Sequence, residues 1–149
     1  MNRIGIEKEK CNGCMSCSLA CMVEHNPHGK SIYDLDLATH ENESRHQIAL
    51  DFRGNPTPNF CRHCDEPECV IACMSGAMTK DDVTGHVSYD AEQCAACFMC
   101  VMSCPFGILK PDNSSGEKVI KCDFCGERET PACVENCPNK AIYLMEVNS

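Results

Sequence analysis

Sixteen cysteines in 149 residues constrain this chain more than any other feature. They fall into four groups of four with none left over: Cys11, Cys14, Cys17 and Cys21; Cys61, Cys64, Cys69 and Cys73; Cys94, Cys97, Cys100 and Cys104; and Cys122, Cys125, Cys133 and Cys137. Leu, Ile, Val and Phe together supply only 27 residues, and the net charge is −9. A chain so poor in large apolar side chains, and so charged, would ordinarily stay unfolded. Bound metal or disulfides must therefore supply what the core cannot. At roughly one group per 37 residues, no group has enough chain to build an apolar domain of its own.

The N-terminus, Met1-Asn-Arg-Ile-Gly-Ile-Glu-Lys-Glu, shows neither an apolar h-region nor a twin arginine. The expected location is the cytoplasm, where thiols stay reduced and clustered cysteines are metal ligands rather than disulfides. No run approaches 18 apolar residues, so no membrane span is expected. The acidic balance argues against nucleic acid, which needs a basic face. No Gly-x-Gly-x-x-Gly or Gly-x4-Gly-Lys-Ser/Thr run offers a nucleotide site. Nothing suggests a substrate site, so the chain is not expected to be an enzyme itself.

The first and third groups read Cys-x2-Cys-x2-Cys-x3-Cys, and the third continues into Pro105. That is the bacterial four-iron ferredoxin run. Three ligands at steps of three wrap one face of a cubane, while the fourth, a helical turn further on, points away toward a second cluster. The second group, Cys61-x2-Cys64-x4-Cys69-x3-Cys73, and the fourth, Cys122-x2-Cys125-x7-Cys133-x3-Cys137-Pro138, keep the outer spacings and loosen the middle. All-cysteine zinc sites pair two Cys-x2-Cys hooks across a longer spacer, which leaves a zinc-binding structural module as a remote alternative. Backbone amides of the ligand loops are expected to donate to the sulfurs. Arg62, Lys110, Lys121 and Arg128 lie near ligands, where they could raise the potentials of individual clusters, but read as solvated surface charges. Of the scattered histidines (His25, His28, His40, His46, His63, His86), His63 sits between two ligands and could hydrogen-bond near a cluster, but the expectation is that it faces solvent.

The lead-in to three groups is strand-like: Arg3–Ile6, His86–Tyr89 and Lys118–Lys121. The last ligands of each group fall on short helical turns, and Ala77-Met78 and Ala141–Leu144 begin further strands. Asp82–Gly85 and Asp112–Gly116 are turn signals joining strand pairs. Residues 22–60 are the least patterned. Asn26–Gly29 and Gly54–Pro58 read as loops, Ile48–Phe52 as an extra strand, and the whole stretch as either partner-specific contact or plain connection. The fold class is α+β, with short hairpins and short helices.

The segments Cys61-Arg-His-Cys64-Asp-Glu-Pro-Glu-Cys69, Cys94 to Ile108 and Lys121 to Pro138 resemble the four-cluster iron–sulfur electron-transfer subunits. Relatives of that family accompany formate dehydrogenase, dimethyl sulfoxide reductase, tungsten aldehyde oxidoreductase, hydrogenases and carbon monoxide dehydrogenase. The resemblance spans the chain apart from residues 22–60. It implies four [4Fe–4S] clusters whose fourth ligands are exchanged between groups. One cluster takes Cys11, Cys14, Cys17 and Cys137; its neighbour takes Cys122, Cys125, Cys133 and Cys21. A third takes Cys61, Cys64, Cys69 and Cys104, and a fourth takes Cys94, Cys97, Cys100 and Cys73. The implied architecture is two ferredoxin-like units: residues 55–112 inserted into an outer unit of residues 1–54 and 113–149. Cys73 is followed by Met74 where relatives carry Pro.

The resemblance implies a non-catalytic electron-transfer subunit of anaerobic metabolism. It would serve a catalytic oxidoreductase subunit in a hetero-oligomer, carrying electrons between that subunit and a carrier or second enzyme. Whether other copies of the same chain join it is open. The alternative is a free low-potential polyferredoxin that diffuses between enzymes.

Overall fold

The computed structural model describes residues 2–38, 41–126 and 128–147. His40 lies outside them. Among the described residues no helix is long and apolar enough to cross a membrane.

The architecture is a small mixed α/β one of two-stranded ribbons and short helices. β1 (Asn2–Ile6) pairs antiparallel with β8 (Ile142–Glu146), so the two ends of the chain form one ribbon. Ile6 lies opposite Ile142 and Ile4 opposite Leu144, while Gly5 faces Tyr143. A Cβ at Gly5 would fall 2.5 Å from the Tyr143 ring, so the glycine is what lets that ring lie across the ribbon.

β4 (Met78–Lys80) and β5 (Val87–Tyr89) form a hairpin, as do β6 (Lys110–Pro111) and β7 (Val119–Ile120). The expected turns close both. Asp81 Oδ1 accepts the Val83 amide at 2.8 Å. Asp112 gathers the Ser115 amide at 3.0 Å, the Ser114 and Ser115 hydroxyls at 2.8 and 2.7 Å, and the Lys118 amide at 3.1 Å. An aspartate placed before such a loop replaces the hydrogen bonds the chain reversal leaves unmade.

The strand expected at Ile48–Phe52 is β2 (Gln47–Leu50), and it has a partner that was read as loop: β3 (Pro56–Asn59). Two prolines conceal that strand in the sequence. Pro56 and Pro58 share one parity, opposite Leu50 and Ile48, and a two-stranded ribbon leaves an outer edge where a missing N–H costs nothing.

Among the described residues four α-helices repeat one arrangement. α1 (Ser16–Glu24), α2 (Glu68–Ile71), α3 (Met99–Ser103) and α4 (Ala132–Glu135) each carry a cysteine as their second residue: Cys17, Cys69, Cys100 and Cys133. The fourth cysteine of each group follows one turn later. α1 packs against α4 and α2 against α3. The apolar interior is built partly from the cysteines. Cys61 and Cys100 pack with Met78, Ile108, Leu109 and Val119 in one core, and Cys133 packs with Phe60 and Ile142 in the other.

Candidate iron–sulfur centres

Each ligand loop has the same backbone signature. The residue immediately before the second cysteine is left-handed in all four groups: Gly13 (φ 71°), His63 (44°), Ala96 (53°) and Phe124 (61°). Only one of the four is glycine. For an L-residue this conformation costs about 1–2 kcal/mol, so three positions hold a strain that the surroundings must impose. Alternating right- and left-handed residues turn successive N–H groups to one side and create a concavity suited to an anion or an iron–sulfur group.

The entry to the helix differs by pair. Groups one and three enter through a second left-handed residue, Met15 (φ 62°) or Phe98 (56°). The longer groups two and four enter through Pro67 or Pro131. Past the fourth cysteine, Gly76, Gly107 and Lys140 are again left-handed, each donating its N–H back to the cysteine carbonyl at 3.3, 3.0 and 3.2 Å. The turn after Cys73 therefore matches the others although Met74 replaces proline.

The structure brings cysteines of different groups together. One cavity is lined by Cys11, Cys14, Cys17 and Cys137, closed by Ile48 and Phe60. A second is lined by Cys61, Cys64, Cys69 and Cys104, with His63 and Ile108. Burial pushes the Cys17 thiol up to about 11, and negative charge on Cys137 and Cys14 adds to it. Burial pushes Cys69 up to about 11 as well, with Cys61 and Cys104 contributing. The Cys133 thiol is driven up by burial and then by charge on Cys122, Cys21, Cys125 and Cys17, so cysteines of groups one and four crowd together there. Cys100 is raised by burial and by charge on Cys73 and Cys94, from groups two and three. Thiols crowded in this way resist ionising together unless cationic metal compensates them. Soft thiolate donors in fours, on concave amide-lined loops, fit an iron–sulfur group. When bound, such a cluster accepts and releases single electrons.

Cys21 stands apart. Burial opposes its ionisation, but hydrogen bonds from His25 and His46 and the Arg45 amide bring it down to about 6. The amide lies 3.3 Å from Sγ. His25 in turn donates to Asp123 at 3.0 Å, and Arg45 Nη1 lies 2.8 Å from the same carboxylate. Against its own burial, Asp123 raises His25 to about 9. This His25–Asp123–Arg45 network ties the fourth cysteine of group one to the loop between Cys122 and Cys125. Sequence reasoning missed it; the available signal was His25 four residues after Cys21 on one helix face. The Ala141 amide donates to Cys137 Sγ at 3.3 Å, a second instance of the expected amide–sulfur bonds.

Two expectations are corrected. His63 is buried, 2% exposed, rather than facing solvent: Val87 N–H donates to its Nδ1 at 3.0 Å, and its ring meets Phe124 edge-on with centroids 5.6 Å apart. Burial, then the nearby Lys121 and His86, hold its pKa down at about 2. Lys121 is likewise buried, its Nζ donating to the Val87 and Cys122 carbonyls at 2.5 and 2.6 Å. The other three basic residues are nearer the surface. Arg62 lies over the Phe106 ring at 4.7 Å, Lys110 pairs with Glu43 at 3.2 Å, and Arg128 pairs with Glu24 at 3.1 Å.

Known proteins share this pattern. The 4Fe–4S dicluster domain matches residues 53–147. YsaA of Escherichia coli (strain K12), whose name provisionally assigns it to electron transport, is 35% identical over 99% of this chain and 92% of its own length. Formate hydrogenlyase subunit 2 of the same strain is 29% identical, over 98% of this chain and 83% of that protein. Among solved structures, a chain of the active site complex BamBC of benzoyl coenzyme A reductase aligns with all of this chain and 82% of its own length, at TM-score 0.55 and 27% identity. With the match covering well over half of its length, the chain belongs to the 4Fe–4S dicluster domain family of iron–sulfur electron-transport proteins.

Proposed function

We propose that the chain is the electron-transfer subunit of a hetero-oligomeric oxidoreductase and holds four [4Fe–4S] clusters in a row between a catalytic subunit and an electron acceptor or donor. The observation that carries this reading is the pair of cavities lined by Cys11, Cys14, Cys17 and Cys137 and by Cys61, Cys64, Cys69 and Cys104. Each takes three ligands from one group and the fourth from another. The remaining sets would be Cys122, Cys125, Cys133 with Cys21, and Cys94, Cys97, Cys100 with Cys73.

The same exchange supports two nested units, residues 55–112 within residues 1–54 and 113–149. The contacts of α1 with α4, α2 with α3, and β1 with β8 are those such nesting requires. Both boundaries fall in hairpin turns, so β2–β3 and β6–β7 would bind the units to each other. Exposure and contacts support an order of the sets. Cys14 and Cys97 are exposed, which suits terminal sets. Burial pushes Cys122 up to about 12 and charge on Cys61 adds to it, which suits the two inner sets lying side by side. The chain's own residues would exclude water from the inner thiolates and fix their spacing, leaving bond-making to the partner.

A partner is supported by the formate hydrogenlyase and BamBC relatives, which are parts of larger enzymes. A molybdenum or tungsten enzyme, a hydrogenase or a carbon monoxide dehydrogenase is the class proposed. The test is anaerobic purification of the native complex with iron, acid-labile sulfide and metal analysis. About sixteen irons and sixteen sulfides per chain, with tungsten, molybdenum or nickel in a co-purifying subunit, is the expected result. A lone chain with iron and sulfide would point to the diffusing ferredoxin, and zinc without sulfide would refute the reading.

A further inference from the structure

The left-handed position before the second cysteine is occupied by His63 in group two and Phe124 in group four, and these equivalent residues meet edge-on at 5.6 Å, both buried. They mark a seam where the Cys61 and Cys122 loops approach each other. Of the two, only His63 brings a polar edge into the seam. Its Nδ1 accepts the Val87 N–H at 3.0 Å and so carries no proton. The proton of the neutral ring is then on Nε2. That atom is buried and has no hydrogen-bond partner among the described residues. His86, 5.2 Å away, directs its own Nε2 to the Asn2 carbonyl at 3.3 Å instead. An unpaired N–H in an enclosed site costs about 1–3 kcal/mol, so native proteins rarely leave one without an acceptor.

His63 lines the cavity of Cys61, Cys64, Cys69 and Cys104. We propose that His63 is a positioning and tuning residue whose Nε2–H donates to a sulfur of the cluster held in that cavity. The proposal rests on the cluster assignment above and adds to it a specific donor. The backbone hydrogen bond from Val87 selects the tautomer and holds the ring in place. No proton is transferred: the cluster gains one electron, and the hydrogen bond strengthens as the sulfur becomes more negative. Hydrogen bonds to sulfur stabilise the reduced state, so this donor raises the potential of that one cluster relative to an equivalent lacking it. The equivalent loop of group four, with Phe124, has no such side-chain donor.

The test compares His63→Phe with His63→Gln in the full chain, purified anaerobically with its clusters. Phe already occupies the equivalent left-handed position in group four, so the loop accommodates it. Gln keeps an N–H near the Nε2 position. Gln also keeps a carbonyl oxygen able to accept the Val87 N–H, whereas Phe keeps neither donor nor acceptor, so 15N-histidine labelling of the wild-type protein is what isolates the donor. The centre in question is identified as the one lost in Cys64→Ala. In redox titration followed by electron paramagnetic resonance, His63→Phe should lower the reduced-to-oxidised ratio of that centre about tenfold at a fixed potential, or about 59 mV for one electron. His63→Gln should restore most of the ratio. An unchanged ratio in His63→Phe at full iron content, an equal fall in both variants, or a shift confined to the centre lost in Cys122→Ala would overturn the proposal. Should His63→Phe fail to load, the wild-type protein labelled with 15N-histidine still decides. One 15N and one exchangeable proton coupled to that centre are expected, and their absence, which would leave a buried water or the Phe124 face as the acceptor, refutes it. If Cys64→Ala loses no iron, the cluster assignment itself fails, a result separable from the hydrogen bond.

Discussion

Removing Cys21 together with a second cysteine separates an exchanged ligand set from one confined to each group. Cys21 lies within α1, the helix that packs against α4, and its thiol contributes to the charge that raises Cys133. If the two share a cluster, Cys21→Ala/Cys133→Ala damages one centre of four and leaves three intact. Iron then falls by at most four from about sixteen. If each group keeps its own four ligands, the same double variant damages two centres and leaves two. The control pair Cys21→Ala/Cys17→Ala reverses the expectation: two damaged centres for exchanged ligands, one for confined ligands. Alanine is preferred to serine because an oxygen could still ligate. Spin quantitation of the fully reduced protein, alongside iron and sulfide on the folded fraction from gel filtration, counts the intact centres directly. Non-additivity is the readout: two substitutions in one unit should do no more than one, whereas independent sites add. Two intact centres in Cys21→Ala/Cys133→Ala, with three in the control, would refute the exchange and the nested architecture built on it.

Stripping iron with a chelator should abolish the far-ultraviolet circular dichroism of the native chain, because metal binding and folding are one equilibrium here; a native-like spectrum without iron would contradict this. Phe60→Ala, which empties a site 2% exposed and breaks the ring stack with His46 at 4.2 Å, should cost about 3–5 kcal/mol in anaerobic denaturant unfolding at constant iron content. Asp112→Ala should cost about 1 kcal/mol, a few degrees in Tm, by freeing the β6–β7 turn. Burial pushes the Asp112 carboxyl up, but the Ser115, Ser114 and Lys118 donors together outweigh it and hold the carboxyl well below the usual carboxylate range. Its contribution is therefore present above about pH 4 and lost as pH falls toward the folded-state value, so the variant should differ from wild type at pH 7 and converge with it in acid.

Much of the frame was legible because cysteine spacing is a direct record of local geometry. Three residues between the third and fourth ligands put the fourth one turn further on, within α1 for Cys21 and just past the helix for Cys73, Cys104 and Cys137, and each of these helices begins one residue before the third ligand. The Asp-led turns were legible for a similar reason, since the side chain that closes each turn lies inside it. What escaped was decided by residues distant in sequence. β3 was hidden because its prolines satisfy the edge of a ribbon whose other strand must first be known. His63 and Lys121 read as surface residues because polar side chains usually are, yet both are held inside by one short strand: His63 by the Val87 amide, Lys121 by the Val87 carbonyl. Cys21 drew no notice beyond its spacing, although the Arg45 amide and His25 single it out among the sixteen thiols.

These misses converge on one physical point. A chain with few large apolar residues cannot pack a deep core, and several of its inward-facing polar groups are answered by backbone carbonyls or by a charged side chain. Lys121 answers the Val87 and Cys122 carbonyls, and Arg45 answers both the Lys121 carbonyl and Asp123. The strained left-handed positions at His63, Ala96 and Phe124 belong to the same economy. They turn amides toward the cysteines at a local cost of about 1–2 kcal/mol each, which metal ligation must offset. The frame is thus organised around its ligand loops, and substitutions that relax a loop should be felt in cluster retention before they are felt in secondary structure. Ala96→Gly offers the cleanest case, because it removes strain without removing a contact atom beyond Cβ. It should leave the helices intact and, if the loops are held by the clusters, change the rate of iron release to a chelator by less than a ligand substitution does. Release as fast as in Cys97→Ala would show that the left-handed residue itself, and not the ligation, holds the loop.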